Sequence, residues 1–226
     1  MIRLAVLDMA GTTVSDDGAV ERAFVEAVAP AAGSAGGLSG DAAARALDYV
    51  RATMGQSKIV VFRALFDGDE DAARAANDRF EQAFAAAVGR GEVRPIAGAE
   101  AALADLRAAG LQLCLTTGFS ASTRDRIIDA LGWRDAIDLA LSPADAGRGR
   151  PYPDMVLSAL LRLGVDDVRH VAVAGDTTSD LVAGTRAGAA VVAGVLTGAH
   201  TRAELERVPH THIIDSVADL SAIVAP

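Results

Sequence analysis

The chain is poor in lysine, cysteine and aromatic side chains. Among 226 residues there are one cysteine, one tryptophan, two tyrosines and six phenylalanines. A single thiol, Cys114, excludes an internal disulfide framework and a multi-thiolate metal site. Its place in a central apolar run makes it a buried hydrophobe. Of the 21 basic side chains, 20 are arginines, and the only lysine is Lys58. Positive charge is the minority sign, with 30 acidic residues and a net charge of -9. That balance argues against contact with nucleic acid, which needs a clustered positive surface. Long apolar runs are missing too. The stretch 187–199 is shorter than the roughly 18–20 residues of a membrane span and is broken by Gly and Thr. The run 4–7 is too short for a secretory signal and meets Asp8 at once. The expectation is a soluble cytoplasmic protein with a small-molecule partner and neither a nucleic-acid nor a membrane partner.

What is present is core-forming material, since 51% of residues are hydrophobic. Short apolar runs at 4–7, 111–116, 137–141, 171–174 and 191–195 read as buried parallel strands, and 212–214 as a weaker edge strand. Helical patterns at 97–109, 122–131, 153–163 and 179–187 lie between most of them. This alternation predicts an α/β fold, a Rossmann-like parallel sheet with helices on both faces. The segment 16–91 breaks the rhythm. It reads as helices at 19–28, 41–53, 59–66 and 70–88, with a Gly/Ser-rich link at 32–40, inserted directly after the first strand. The division is therefore a core of residues 1–15 and 92–226 and an all-helical insertion of residues 16–91.

In parallel sheets, ligands bind at the carboxyl ends of strands, so the residues just after each strand are the place to seek chemistry. The first strand delivers Asp8-Met9-Ala10-Gly11-Thr12-Thr13. A carboxylate there can be a nucleophile toward phosphorus or a metal ligand, though Asp also caps turns. The strand at 171 delivers Asp176 and, four residues on, Asp180. Together with Asp8 they form an oxygen-only, anionic set that suits Mg2+; a helix-start acid is the plainer role for Asp180. Thr116, Thr117 and Gly118 offer hydroxyls and free N–H groups for a phosphoryl oxygen, or a simple turn. Arg150, in a loop between Gly and two prolines, could bind a phosphoryl group beside the nucleophile.

Taken in this order, the four motifs resemble those of the haloacid dehalogenase superfamily of aspartate-nucleophile hydrolases. The resemblance spans the whole chain and implies that the inserted helices are a cap. It further implies that Asp8 forms an aspartyl-phosphate, and that Mg2+ is held by Asp8, the backbone oxygen of Ala10 and Asp176, with Asp180 behind them. Phosphatases of this superfamily carry a second Asp where this chain has Ala10, to protonate the departing alkoxide. Losing a general acid costs about 10²–10⁴-fold, so an alkoxide becomes hard to expel.

Lys58 offers another way out. It lies in Met54-Gly55-Gln56-Ser57-Lys58, where Gly55 ends one helix and Ser57 can cap the next. The helix dipole and the apolar run 59–62 should both lower its pKa. A partly neutral amine can form an imine with an aldehyde, and an iminium next to a C–P bond lets carbon depart as an enamine. The combination of Asp8 to Thr13, Met54 to Lys58, Thr116 to Gly118, Gly149 to Pro153 and Gly175 to Asp180 is similar to the phosphonatase (phosphonoacetaldehyde hydrolase) group. That resemblance implies a Schiff base on Lys58, contacts from Met54 and Gly55, a small phosphonate substrate and a homodimer. Two positions depart from it: Val61 stands where phosphonatases have a cap histidine, and Phe119 where they have Tyr. A hydroxylated relative of phosphonoacetaldehyde is therefore as good a candidate as the parent. Gly55 to Lys58 also fits a phosphatase cap whose cation binds a distal anion. Phosphomonoester hydrolysis is thus one alternative, and a non-catalytic phosphate-binding module another. His170, His210 and His212 read as surface or satisfied residues, His200 as a residue near the pocket mouth, Phe24 and Phe62 as packing, and 67–71 as a solvated turn.

Overall fold

The computed structural model describes residues 1–29 and 41–224. The link expected at 32–40 lies outside the described residues. The chain opens with β1 (Leu4–Asp8) and the two-residue β2 (Val14–Ser15). Four helices follow: α1 (Ala19–Val28), α2 (Asp41–Ala52), α3 (Lys58–Leu65) and α4 (Glu70–Gly89). The chain returns through β3 (Arg94–Pro95). Then come α5 (Ala99–Ala108), β4 (Gln112–Thr116), α6 (Ala121–Leu131), β5 (Leu139–Leu141), α7 (Pro143–Ala146) and α8 (Asp154–Arg162). The last elements are β6 (Val171–Gly175), α9 (Thr178–Ala187), β7 (Val191–Val195), α10 (Arg202–Leu205), β8 (His212–Ile214) and α11 (Leu220–Val224).

Six strands form one parallel sheet in the order β5-β4-β1-β6-β7-β8, the Rossmann-type arrangement that the alternation predicts. Every residue of β1, β6 and β7 is buried, as strands covered on both faces must be. Alternation along β1 splits the core. Ala5 and Leu7 join α5 residues such as Leu103 and Leu106 on one face, while Leu4 and Val6 join Met155 and Val156 of α8 on the other. His212–Ile214 is the expected edge strand. The β5 run is shorter than the sequence suggests, beginning at Leu139. The short helices α7, α10 and α11 and the β2–β3 ribbon were not legible, because two to five residues carry no periodicity. No described helix is long and apolar enough to cross a membrane.

The ribbon fixes how the helical insertion attaches. Val14 pairs with Pro95 and Ser15 with Arg94 antiparallel, so the outgoing and returning chains run side by side. Beyond them α4 packs against α1 and α3. Five of the six phenylalanines join here in one connected set. Phe24, Phe62, Phe80 and Phe84 come from the inserted helices, and Phe119 from the loop after β4. Phe62 is fully buried and lies 5.0 Å from Phe24 between ring centroids. Phe62→Ala is expected to lower the free energy of unfolding by about 3–5 kcal/mol, read from urea denaturation.

Candidate active site

The carboxyl ends of β1, β4, β6 and β7 meet the inserted helices around a cavity of about 290 Å³. Asp8, Ala10, Met54, Gly55, Lys58, Thr117, Gly118, Arg150 and Asp176 all line it. These residues come from five separate stretches of sequence, as the topology of a parallel sheet requires.

On the sheet side the cavity is acidic. Asp8, Asp176 and Asp180 are buried, and a carboxylate oxygen from each lies within 4.8 Å of the others. One guanidinium answers them: Arg150 donates to Asp8 Oδ1 at 2.5 Å and, through the same nitrogen, to Asp180. Burial raises the Asp8 carboxyl well above the usual carboxylate range, Arg150 opposes that, and Asp180 and Asp176 add to it. Asp176 is pushed up to about 6 by burial and by Asp180. The N–H of Ala199 (2.7 Å) and, weakly, the hydroxyl of Thr12 (3.4 Å) donate to Asp176. Asp180 also closes a capping box with Thr177 at the start of α9. Three buried carboxylates against one guanidinium leave negative charge uncompensated, and an oxygen-only donor set of this kind fits a hard divalent cation.

The opposite wall is apolar and carries the lysine. Lys58 is the first residue of α3 and only 6% exposed. It makes no ion pair among the described residues, the salt bridges there involving arginines only. Its Nζ lies over the rings of Phe119, Phe24 and Phe80, at 5.1, 5.3 and 5.9 Å from their centroids. Burial and the neighbouring Arg150 lower its pKa to about 8, against the opposite pull of Asp8, Asp16 and Glu81.

Two close approaches hold this wall against the sheet. A Cβ on Gly118 would overlap the carbonyl oxygen of Gln56, and the N–H of Lys58 donates to the Gly118 carbonyl at 3.3 Å. Gly55, at φ +82°, packs so closely on Thr177 that a side chain there has no room.

With this geometry in view, likeness to known proteins can be stated. Residues 2–188 match the sequence model of the family described as haloacid dehalogenase-like hydrolase. The chain belongs to that family. It is 36% identical over 107 residues to a phosphonoacetaldehyde hydrolase of Bacillus cereus strain AH187, covering 46% of this chain and 39% of that one. It is 30% identical over 183 residues to another Bacillus cereus phosphonoacetaldehyde hydrolase, covering 76% of this chain and 67% of that one. The chain thus spans about two fifths of the first of these relatives. Phosphonatase and phosphatase names both occur among its relatives. A crystal structure of a phosphonoacetaldehyde hydrolase-like protein from Oleispira antarctica superposes with a TM-score of 0.79 at 22% identity, over 99% of this chain and 91% of that one. That last likeness is one of fold.

Seen as a haloacid dehalogenase-like hydrolase, the chain brings nearly all of its strand-end motif residues to one place, with three corrections. Thr116 does not line the cavity; its hydroxyl turns back to the Leu7 carbonyl at 3.5 Å, and Thr117 and Gly118 are the residues that reach it. Ser57 sits at the N-cap of α3 but makes no side-chain cap bond. The apolar surroundings of Lys58 include three phenyl rings from other elements, and of the run that follows it Val61 and Phe62 are buried while Val60 points outward at 47% exposure. His200 is buried behind the cavity, where its Nδ1 accepts from the N–H of Thr178 at 3.0 Å. Cys114 is buried as expected, with its thiol pushed up by that burial.

Sequence reasoning missed Asp16, Glu81 and residues 197–199. The position of 197–199 just after β7 was a usable signal; Glu81 carried none, because it is one of several acids on a long amphipathic helix. Gly118→Ala is expected to push the segment 56–58 off the sheet and to cut orthophosphate release about 10²-fold, the usual cost of misplacing a reacting group by an ångström.

Proposed function

We propose that the chain is a Mg2+-dependent hydrolase of the C–P bond in phosphonoacetaldehyde or a close 2-oxoethylphosphonate relative. It works through an imine on Lys58 and an aspartyl-phosphate on Asp8, with residues 16–91 as a helical cap over the core of residues 1–15 and 92–226. The observation that carries this reading is that Lys58, an amine with no ion-pair partner among the described residues, lines the same small cavity as Asp8.

The chemistry follows from the two walls. The neutral Lys58 amine adds to the aldehyde carbon, and the carbonyl oxygen leaves as water, giving an iminium. A carboxylate oxygen of Asp8 then attacks phosphorus. The electron pair of the breaking P–C bond flows into the iminium, so the carbon departs as a neutral enamine. No oxygen leaves in this step, so none needs a proton, and Ala10 at the cavity wall is no handicap. Water next releases orthophosphate from Asp8. The enamine takes a proton on carbon, and hydrolysis of the resulting imine frees acetaldehyde and Lys58. Arg150 neutralises phosphoryl charge, and the Thr117 hydroxyl can donate to it, the Thr117 N–H being taken by the Leu141 carbonyl at 3.1 Å.

Asp8, Asp176 and the backbone oxygen of Ala10 would hold Mg2+, with Asp180 behind them. Bound there, such an ion would supply charge neutralisation for the phosphoryl group. A phosphomonoesterase reading would need an acid for the alkoxide. The other carboxylates lining the cavity are engaged: Asp16 accepts from the backbone N–H groups of Gly18 and Val20 at 3.0 and 3.2 Å, Asp17 from the Ser15 hydroxyl at 3.4 Å, and Glu21 pairs with Arg51.

Borohydride added with phosphonoacetaldehyde is expected to inactivate the enzyme and leave one adduct, on Lys58, found by peptide mass spectrometry. Lys58→Arg should release no orthophosphate from the phosphonate, because arginine forms no imine; full activity in that variant would refute the reading. Imine formation needs the free amine and the Lys58 pKa lies near 8. The rate should therefore fall about tenfold per pH unit below that value and level off above it. Chelation should abolish turnover and added Mg2+ restore it, while Asp176→Asn loses both the activity and the thermal stabilisation that Mg2+ confers on the wild type.

A further inference from the structure

The nitrogen of Lys58 is met by three neighbouring ring faces, and the rings come from different parts of the fold. Phe24 lies on α1 and Phe80 on α4, whereas Phe119 stands in the turn after β4 and lines the cavity itself. All three are at most 2% exposed. Phe84 stacks on Phe119 at 4.7 Å and Phe80 at 6.2 Å, which fixes the orientation of that ring. The charged groups that face Lys58 are Arg150, Asp8, Asp16 and Glu81. Each carboxylate among them is engaged elsewhere. Asp8 accepts from Arg150, Asp16 accepts from the N–H groups that open α1, and Glu81 accepts from the Ser120 hydroxyl at 2.6 Å and from Thr123.

We propose that the π-faces of Phe24, Phe80 and Phe119 hold the cationic iminium on Lys58 in place of a carboxylate counter-ion, with Phe119 a catalytic residue and Phe24 and Phe80 positioning residues. This rests on the imine reading above. The physical case is one of degree. A ring quadrupole attracts a cation without carrying formal negative charge. Condensation of amine and aldehyde yields a cation from two neutral molecules and one proton, and the rings favour that product. The next step destroys the same positive charge, because the P–C electron pair turns the iminium into a neutral enamine. A carboxylate in contact would stabilise the iminium much more strongly in this buried setting and so resist its discharge. The rings give enough attraction to form the cation and too little to trap it. Phe119, which departs from the tyrosine of the phosphonatase pattern, thereby has a function of its own.

The test uses the single lysine. Protein labelled with 13C at lysine Cε gives one side-chain resonance, from Lys58, whose titration is followed without substrate. Phe119→Leu keeps an apolar wall but removes the π-face. Lys58 should then titrate about one pH unit lower, and the substrate concentration for half-maximal borohydride trapping should rise about tenfold. Phe119→Tyr, which restores a ring face, should recover most of both changes. Phe24→Leu, on the inserted helix α1, should move both readings the same way and serves if Phe119→Leu does not fold. Unchanged or raised Lys58 titration, with unchanged trapping, in the leucine variants overturns the cage and leaves the imine standing. Absence of any adduct in the wild type overturns the imine reading and the cage with it.

Discussion

Burying three carboxylates together is the constraint around which the rest of this molecule is arranged. Isolated buried charges are among the costliest features a fold can carry. Asp8, Asp176 and Asp180 share one guanidinium, from Arg150. The fold compensates with donors placed by its loops: the N–H of Ala199, the hydroxyl of Thr12 and the capping box at the start of α9. Each donor arrives at the end of a strand or the start of a helix, so the parallel sheet is what makes the cluster tolerable. The excess negative charge that remains is what gives the cavity its attraction for a cation, and Arg150 beside it offers the complementary contact for a phosphoryl group.

Opposite this cluster the chain buries charge of the other sign by a different device. Among the described residues Lys58 has no ion-pair partner, and three ring faces lie beside its nitrogen. Burial therefore works against the ammonium and brings the amine within reach of neutral pH. The two walls are chemically complementary. One presents an oxygen nucleophile in an acidic, cation-seeking setting, the other a nitrogen nucleophile in an apolar one. Under the proposed function, a substrate bearing a phosphoryl group and a carbonyl one carbon apart would meet both.

Much of this was legible in the strand ends. Asp8, Asp176 and Asp180 follow buried runs whose composition marks parallel strands, and the sheet brings such positions together whatever lies between them. Register was the weak point. Thr116 and Thr117 are equivalent as residue types, but the last strand residue points back to the sheet and the next one to the cavity. Ser57 stands at a cap position without making the cap bond, because helix position does not fix side-chain geometry. The phenyl cage had no sequence signature at all. Phe24, Phe80 and Phe119 lie tens of residues apart, and each alone reads as packing.

The sequence by itself determined the fold class, the family motifs and the identity of the one side-chain amine, since arginine replaces lysine everywhere else. These are properties of residue type, order and local periodicity. Only the tertiary structure decided what surrounds that amine. It closes Gln56 onto Gly118, which has no Cβ to prevent the contact, and so brings α3 down on the sheet. It gathers rings from two inserted helices and one core turn, and it keeps each nearby carboxylate engaged with another partner. Such contacts depend on which elements pack together, and no local pattern of residues encodes that.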